Sequence, residues 1–347
     1  MTGNWIWEKQ GWPEFEWQEQ YFSAKLKHLY FLSGQIHSLN ALLSERDRIQ
    51  FTFNNLLQSI DKQRRPLQLQ LSASIREQLE LPVDDEAVQS AYSRRWAEAI
   101  LDSCHKSDEP FSLERLMQWH QSIQKEESNQ LRQGKDSDGT EKVLFELIDL
   151  TEWFNNWTKE HYDPMIRVAV SCLRLACIKP FNTYNIDICR MFGNLALNQS
   201  VDLNIPIYLN PNLFSETNDI FMEELNSARR GSTDITNWID YFLDIINECF
   251  STCLEALYTN LNQPKFWAKV AEAGLNSTQA EILRDLFNNT DPEASINASE
   301  YQQLTGVSKA SATRHLTEMH SKGCIKKLGA GGRSTRYKLN ISLEGVA

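Results

Sequence analysis

The sequence predicts a mainly α protein that closes with a small, basic α+β unit. Three observations carry this. Long segments place apolar residues at three- and four-residue spacing, with few β-branched runs. After residue 274, short helices with capping signals lead into two brief β-type runs around a glycine-rich turn. Charge is also uneven: the chain is −11 overall, yet residues 307–347 carry eight Lys/Arg against two acids.

In chain order, "WIWEKQGWPEFEW" gathers Trp5, Trp7, Trp12 and Trp17 with Pro13 and Phe15. An aromatic cluster this dense packs a terminal segment onto a helical core. Residues 18–58 read as one helical stretch, Arg64-Arg65-Pro66 as its break, and 134–142, "GKDSDGTEK", as a polar surface loop. "HYDPMIRVAVSCLRLACIKPF" and "IDICRMFGNLAL" read as two helices joined by Asn182, Thr183, Tyr184 and Asn185. Further on, Thr278 with Glu281 and Asn297 with Glu300 form capping boxes, and Ser308 caps "KASATRHLTEMHSKG". On that helix Ala312, Leu316 and Met319 face inward, while Lys309, Ser311, Arg314 and His315 face outward. "CIKKL" and "TRYKL" then form a hairpin through Gly329–Ser334.

Composition excludes several classes. A chain of 347 residues holds two or three domains. No stretch approaches the roughly 18 apolar residues of a membrane span, and the N-terminus lacks the pattern of a signal peptide. Seven scattered cysteines show no metal-ligand spacing, so they read as inert thiols in a reducing compartment. A cytoplasmic protein without metal or membrane is expected. The negative total argues against indiscriminate coating of nucleic acid.

Helix, helix, turn, helix and basic hairpin is the order of a winged helix-turn-helix. Its third helix suits a major groove, and the hairpin suits flanking phosphates or a minor groove. Double-stranded DNA is therefore the expected partner, contacted through Ser308, Lys309, Ser311, Arg314, His315, Lys326, Lys327, Arg333 and Arg336.

The stretch "CIKPFNTYNIDICR" (Cys177–Arg190) is the most informative. A loop that cradles phosphates before a helix wants glycines, basic residues and a carboxylate for Mg²⁺. Here Asn185 and Arg190 are suitable and little else is. The segment nevertheless resembles the signature of the Fic (Fido) family, H-x-F-x-[D/E]-G-N-G-R-x-x-R. The family His falls on Lys179, the Phe on Phe181, the metal-binding acid on Thr183, and the glycines on Tyr184 and Ile186. The Asn falls on Asn185 and the arginines on Asp187 and Arg190. The flanks resemble the same family: the tryptophan-rich start is similar to a domain of unknown function found before Fic domains. "GSTDITNWIDYFLDII" resembles a downstream helix, and "GAGGRSTRYKL" the winged-helix tail of three-part bacterial members.

The resemblance implies a Fic-type helical bundle with an N-terminal helical domain and a C-terminal winged helix. Boundaries are placed at 1–95, 96–250, a connecting helix at 251–275, and 276–341. The family transfers AMP from ATP to a protein hydroxyl. Here the base, metal anchor, cradle and one phosphate clamp are all replaced, which implies a catalytically inactive protein needing neither ATP nor Mg²⁺. A lysine base would have to be neutral, at a cost of about 4 kcal/mol at pH 7 for an ordinary lysine. The alternative is a divergent nucleotidyl or phospho-transferase using Lys179 together with ATP and Mg²⁺. A third reading is a docking module for a protein partner. The inhibitory-helix pattern of self-restrained relatives aligns on Ser72–Glu77 with Arg76 in place of its glutamate, and the family's nucleotide-side residues on Asn218, Phe221 and Met222. Family members often dimerise, so a homodimer is expected.

Overall fold

The computed structural model describes residues 5–58, 65–83, 90–124, 130–133, 139–158, 161–201, 203–288, 294–328 and 335–341. The chain divides into two compact units, Met1–Leu254 and Glu255–Ala347. In the first, α1 (Ser23–Asn40), α2 (Glu45–Gln58), α3 (Arg65–Gln78), α4 (Ala91–His105), α5 (Leu113–Ile123), α6 (Gly139–Asn156), α7 (Pro164–Ile178), α8 (Asn185–Ser200) and α9 (Asp219–Arg230) follow one another. The division falls inside α10 (Thr236–Glu272), so the segment expected as a separate connecting helix continues the one before it. The expected boundary at 95/96 lies within α4.

Two local expectations are corrected. The 18–58 stretch is two helices rather than one. Ser44 accepts a hydrogen bond from the Asp47 backbone N–H and donates to its carboxylate, restarting the chain as α2. Residues 139–142 form the first turn of α6, leaving only 134–138 of the expected loop, outside the described residues. The tryptophan cluster does pack the terminus down. Trp12 Nε1 donates to Glu146 on α6, Trp17 meets Tyr162 edge-on, and Arg230 of α9 covers Trp5. Backbone bonds from Glu16 to Thr233 and from Ile235 back to Glu16 stitch the same segment to the start of α10.

The axis of this unit is α7. Asp163 caps it, Pro164 opens it, and every residue from Pro164 to Ile178 is buried. Arg167 and Arg174 are buried with the rest. Arg167 lies over the Phe154 and Trp157 rings and donates to Phe154 O and Gln199, while Arg174 pairs with Asp149 at 2.5 Å. Burial lowers the Arg167 pKa to about 10. Alongside runs α8, and Gly193 sets the approach: a Cβ there would come within 2.7 Å of Cys172 Sγ and 2.5 Å of Leu209. All seven cysteines are buried, and burial pushes their thiols up, Cys177 and Cys249 to about 12.

The second unit carries α11 (Ser277–Asn288), α12 (Ala298–Thr305) and α13 (Lys309–Ser321), then β1 (Ile325–Leu328) and β2 (Arg336–Leu339). The strands pair antiparallel, Ile325 opposite Leu339 and Leu328 opposite Arg336. Ile296, bonded both ways to Tyr337, forms an isolated antiparallel bridge to β2. Leu283, Tyr301, Ala312, Leu316, Met319 and Ile325 fill the core. The Asn297–Glu300 box and the Ser308 cap are present. The box expected at Thr278 and Glu281 is instead Asn276 with Gln279, whose side chains exchange bonds with each other's backbone N–H. Gly306 takes φ 70° to turn α12 toward α13.

Asp102 on α4 holds the first unit's α4–α5 contact. It accepts from Arg115 Nε at 2.7 Å and Trp119 Nε1 at 2.7 Å, and Arg115 also reaches the carbonyls of Asp102, Lys106 and Glu109. Burial pushes the Asp102 carboxyl up, but the bonds from Arg115 and Trp119 outweigh it and the net pKa is lowered. Asp102→Asn leaves Arg115 with no partner charge and should cost about 3 kcal/mol in urea unfolding at pH 7. Because the folded pKa is depressed, the difference from wild type should persist above the unfolded value of about 3.9. It should shrink as pH falls through the folded pKa.

Candidate functional site

The sequence-predicted loop lies between the C-terminus of α7 and the N-terminus of α8. Lys179 ends α7 in the left-handed region (φ 48°) with its side chain exposed, and Pro180 prevents continuation. Tyr184 precedes α8 in the same region (φ 61°) and gives α8 no side-chain cap. A non-glycine residue pays roughly 1–2 kcal/mol for that conformation. Tyr184 therefore stands where the family glycine falls and keeps the backbone shape a glycine favours.

Between these residues the loop is fastened by its own side chains. Asn185 accepts from Phe181 N–H at 3.0 Å and donates to Phe181 C=O at 2.8 Å. Phe181 is fully buried and lies flat on the His120 ring of α5, centroids 3.7 Å apart. The last carbonyls of α7, which have no helical partner, are taken by two arginines from distant segments. Arg132 donates to Ile178 O and Lys179 O and, through its backbone N–H, to Pro180 O; Arg229 of α9 donates to Ala176 O. Cations at that end also suit the negative pole of the helix.

The opposite pole belongs to α8, whose N-terminus would attract an anion. Asp187 already supplies one in the first turn, and its carboxylate pairs with Arg190 at 3.0 Å. The two positions onto which the family's arginines fall thus neutralise each other. Thr183 is exposed and Ile186 is buried. Among the described residues no group of three His, Cys, Asp or Glu is placed to hold a metal ion. A polar cleft of about 460 Å³ beside Gln18, Tyr21 and Asp240 is lined by none of the motif residues.

The other aligned positions have structural work. Arg76, on α3, stacks over the Phe53 ring at 4.2 Å and bonds Pro82 O. Asn218 caps α9 by accepting from Phe221 N–H, and Phe221 packs in the core against Phe214 and Trp238.

On the winged helix, Ser308, Lys309 and Arg314 are exposed and Ser311 is half-exposed. His315 is not on that face: it is buried, with Nδ1 3.0 Å from Tyr301 Oη. Arg336 is engaged too, paired with both oxygens of Glu300 and bonded to Ser295 O and Oγ. Lys326 and Lys327 are exposed on β1, and Lys326 lies directly across from Lys338. Arg333 lies outside the described residues. The residues the sequence reading missed are Thr313 and Thr317. With Lys309, Ala310 and Arg314 they complete the exposed face of α13, a stripe that i, i+4 spacing already held.

Fold and site together define a mainly α body with a C-terminal winged helix, joined to a helix–loop–helix unit fastened from within. Two family models match the chain: the domain of unknown function DUF4172 over residues 5–64, and the C-terminal domain of the transcriptional regulator DIP2311-like family over residues 293–340. They fall where the three-part resemblance puts its first and last parts. No curated protein matches the sequence. Among solved structures, a Fic family protein from Desulfovibrio desulfuricans G20 aligns over 91% of this chain and 96% of its own, with TM-score 0.47 and 13% identity. Fic-1 (residues 134–508) from C. elegans aligns over 70% of this chain and 75% of its own, with TM-score 0.46 and 15% identity. A Fic domain containing signaling protein from Bacteroides thetaiotaomicron VPI-5482 covers 70% of this chain and 98% of its own, with TM-score 0.43 and 15% identity.

The loop's geometry predicts opposite outcomes at two neighbouring positions. Asn185→Ala strands the buried Phe181 peptide and should cost about 2–3 kcal/mol in urea unfolding. Lys179→Gly relieves the left-handed strain without losing a buried contact and should raise stability by about 1 kcal/mol.

Proposed function

We propose that this protein is a catalytically inactive Fic-fold body carried on a DNA-binding winged helix, and that it acts in transcriptional regulation. The observation that carries the first half is the Asp187–Arg190 pair at the N-terminus of α8. A triphosphate brought to that helix end would meet a carboxylate, and the arginine suited to clamp it is already matched. Nor do the residues present fit Mg²⁺, which prefers a carboxylate where Thr183 offers a neutral hydroxyl. ATP and Mg²⁺ are therefore not expected to bind.

The second half rests on the exposed face of α13. Ala310, Thr313 and Thr317 are small enough for close approach, and Lys309 and Arg314 flank them with positive charge. Lys326 and Lys338, opposed across the hairpin, repel one another until an anion lies over them. The match at residues 293–340 to a transcriptional regulator's C-terminal domain supports the same reading.

Binding to duplex fragments from the protein's own promoter, measured across a salt series, tests the regulator. The joint Lys326→Ala/Lys327→Ala change should flatten the slope of log K against log salt by about 0.9 for each phosphate contact removed. Arg314→Ala should weaken binding more on one sequence than on others if it reads bases. His315→Ala should lower the unit's melting point, because it breaks the buried bond to Tyr301. Incubation with labelled nucleoside triphosphates tests the inactive body: no transfer is expected, and robust labelling lost in Lys179→Ala would overturn the reading in favour of a divergent transferase.

A further inference from the structure

What α13 can show a groove depends on where its hydroxyl protons go. The exposed residues from Lys309 to Thr317 are Lys309, Ala310, Thr313, Arg314 and Thr317. Thr313 Oγ1 donates to Lys309 O at 3.0 Å, and Thr317 Oγ1 donates to Thr313 O at 2.8 Å, each four residues back along the helix. A hydroxyl has one proton to give. With it spent on the backbone, each threonine offers a base edge a methyl group and an oxygen that only accepts. Ala310 adds a third methyl three residues before Thr313, and Thr317 follows four residues after it, so the three stand in one row. At 1.5 Å per residue the row is about 10 Å long, roughly three base-pair steps of 3.4 Å.

The polar readers on this face are few. Among its five exposed residues there is no Asn or Gln to bond adenine bidentately and no acid to accept from cytosine. Glu318, further along the helix, is held by Lys322 at 2.6 Å and by Gln279. Arg314, next to Thr313, is the residue shaped to bond guanine through its O6 and N7. Thymine differs from the other three bases by carrying a methyl group into the major groove. A row of methyls on the helix therefore matches a row of thymines in the groove.

We propose that α13 reads a thymine run: Ala310, Thr313 and Thr317 pack against the C5-methyl groups of two or three successive thymines, and Arg314 bonds a guanine beside them. The inference rests on the DNA-binding reading of the winged helix and adds what that helix recognises. The charge around the row fits the flanking phosphates, with Lys309 on the helix and Lys326 opposed to Lys338 on the hairpin.

Selection of duplexes from a library with a randomised centre, using the full chain, supplies the probe. Enriched duplexes should share a run of thymines with a guanine next to it. Rebuilding the best duplex with deoxyuridine at those thymines removes only the methyl groups. Binding should weaken about 4-fold for each one, or about 50-fold for three. The slope of log K against log salt should not move, because no phosphate contact is lost. Thr313→Val keeps the methyl and drops the hydroxyl, and should bind the thymine duplex as wild type does. Thr313→Ser keeps the hydroxyl and drops the methyl. It should bind about 4-fold more weakly and no longer distinguish deoxyuridine from thymine at one position of the run. Enriched duplexes without a thymine run, or deoxyuridine duplexes bound as tightly as thymine ones, overturn the inference and leave DNA binding standing. Thr313→Val as damaging as Thr313→Ser overturns it as well, since the hydroxyl oxygen is then the reader. A chain that binds no duplex at low salt overturns the DNA reading and this inference with it.

Discussion

The body of this protein is organised by a helix with no outside. Because α7 is buried on every face, its charged side chains draw their partners from the protein itself, through their terminal nitrogens and with Nε of Arg167 and of Arg174 left unbonded. Arg174 finds Asp149, and Arg167 finds two rings, a carbonyl and a glutamine. The orphan carbonyls at its end obey the same rule and draw Arg132 and Arg229 from segments far away in sequence. Gly193 then lets α8 lie close, which fixes the spacing of the loop between them. The loop is thus held by the requirements of a buried helix.

That dependence leaves the loop's own residues to fasten it locally. Asn185 and Phe181, two of the residues it keeps from the resembling signature, form its internal staple. Arg190, the third, is turned onto Asp187. Tyr184 keeps the backbone conformation suited to a glycine without the glycine's smallness. What remains is a helix–loop–helix whose helix N-terminus carries its own carboxylate, paired with Arg190.

Much of this was legible in the sequence, and the reasons differ by element. The hairpin, the inward face of α13 and the caps at Asn297 and Ser308 are local patterns, readable because neighbours in sequence decide them. The break at Ser44 carried a signal too, Ser-Glu-Arg-Asp, but unbroken apolar spacing across it concealed the restart. His315 was misplaced because it sits one residue from Arg314 at the edge of the exposed arc. Its burial depends on Tyr301, in a different helix. The capping of α7 by Arg132 and the engagement of Arg336 were not legible at all, since each joins residues about forty or more apart. Charge alone says where a cation could go and leaves open which carbonyl or carboxylate reaches it first.

Glu300 gives the winged unit a property of its own. One oxygen accepts both the Asn297 backbone N–H and Arg336, and the other accepts Arg336 alone. The first turn of α12 and the second hairpin strand are thereby fastened at a single carboxylate. Fraying either end releases part of what holds the other, so their local opening is thermodynamically linked. Amide hydrogens at the start of α12 and along β2 belong to one cooperative opening unit, and whatever stills the wing also slows exchange at the far end of the helix-turn-helix.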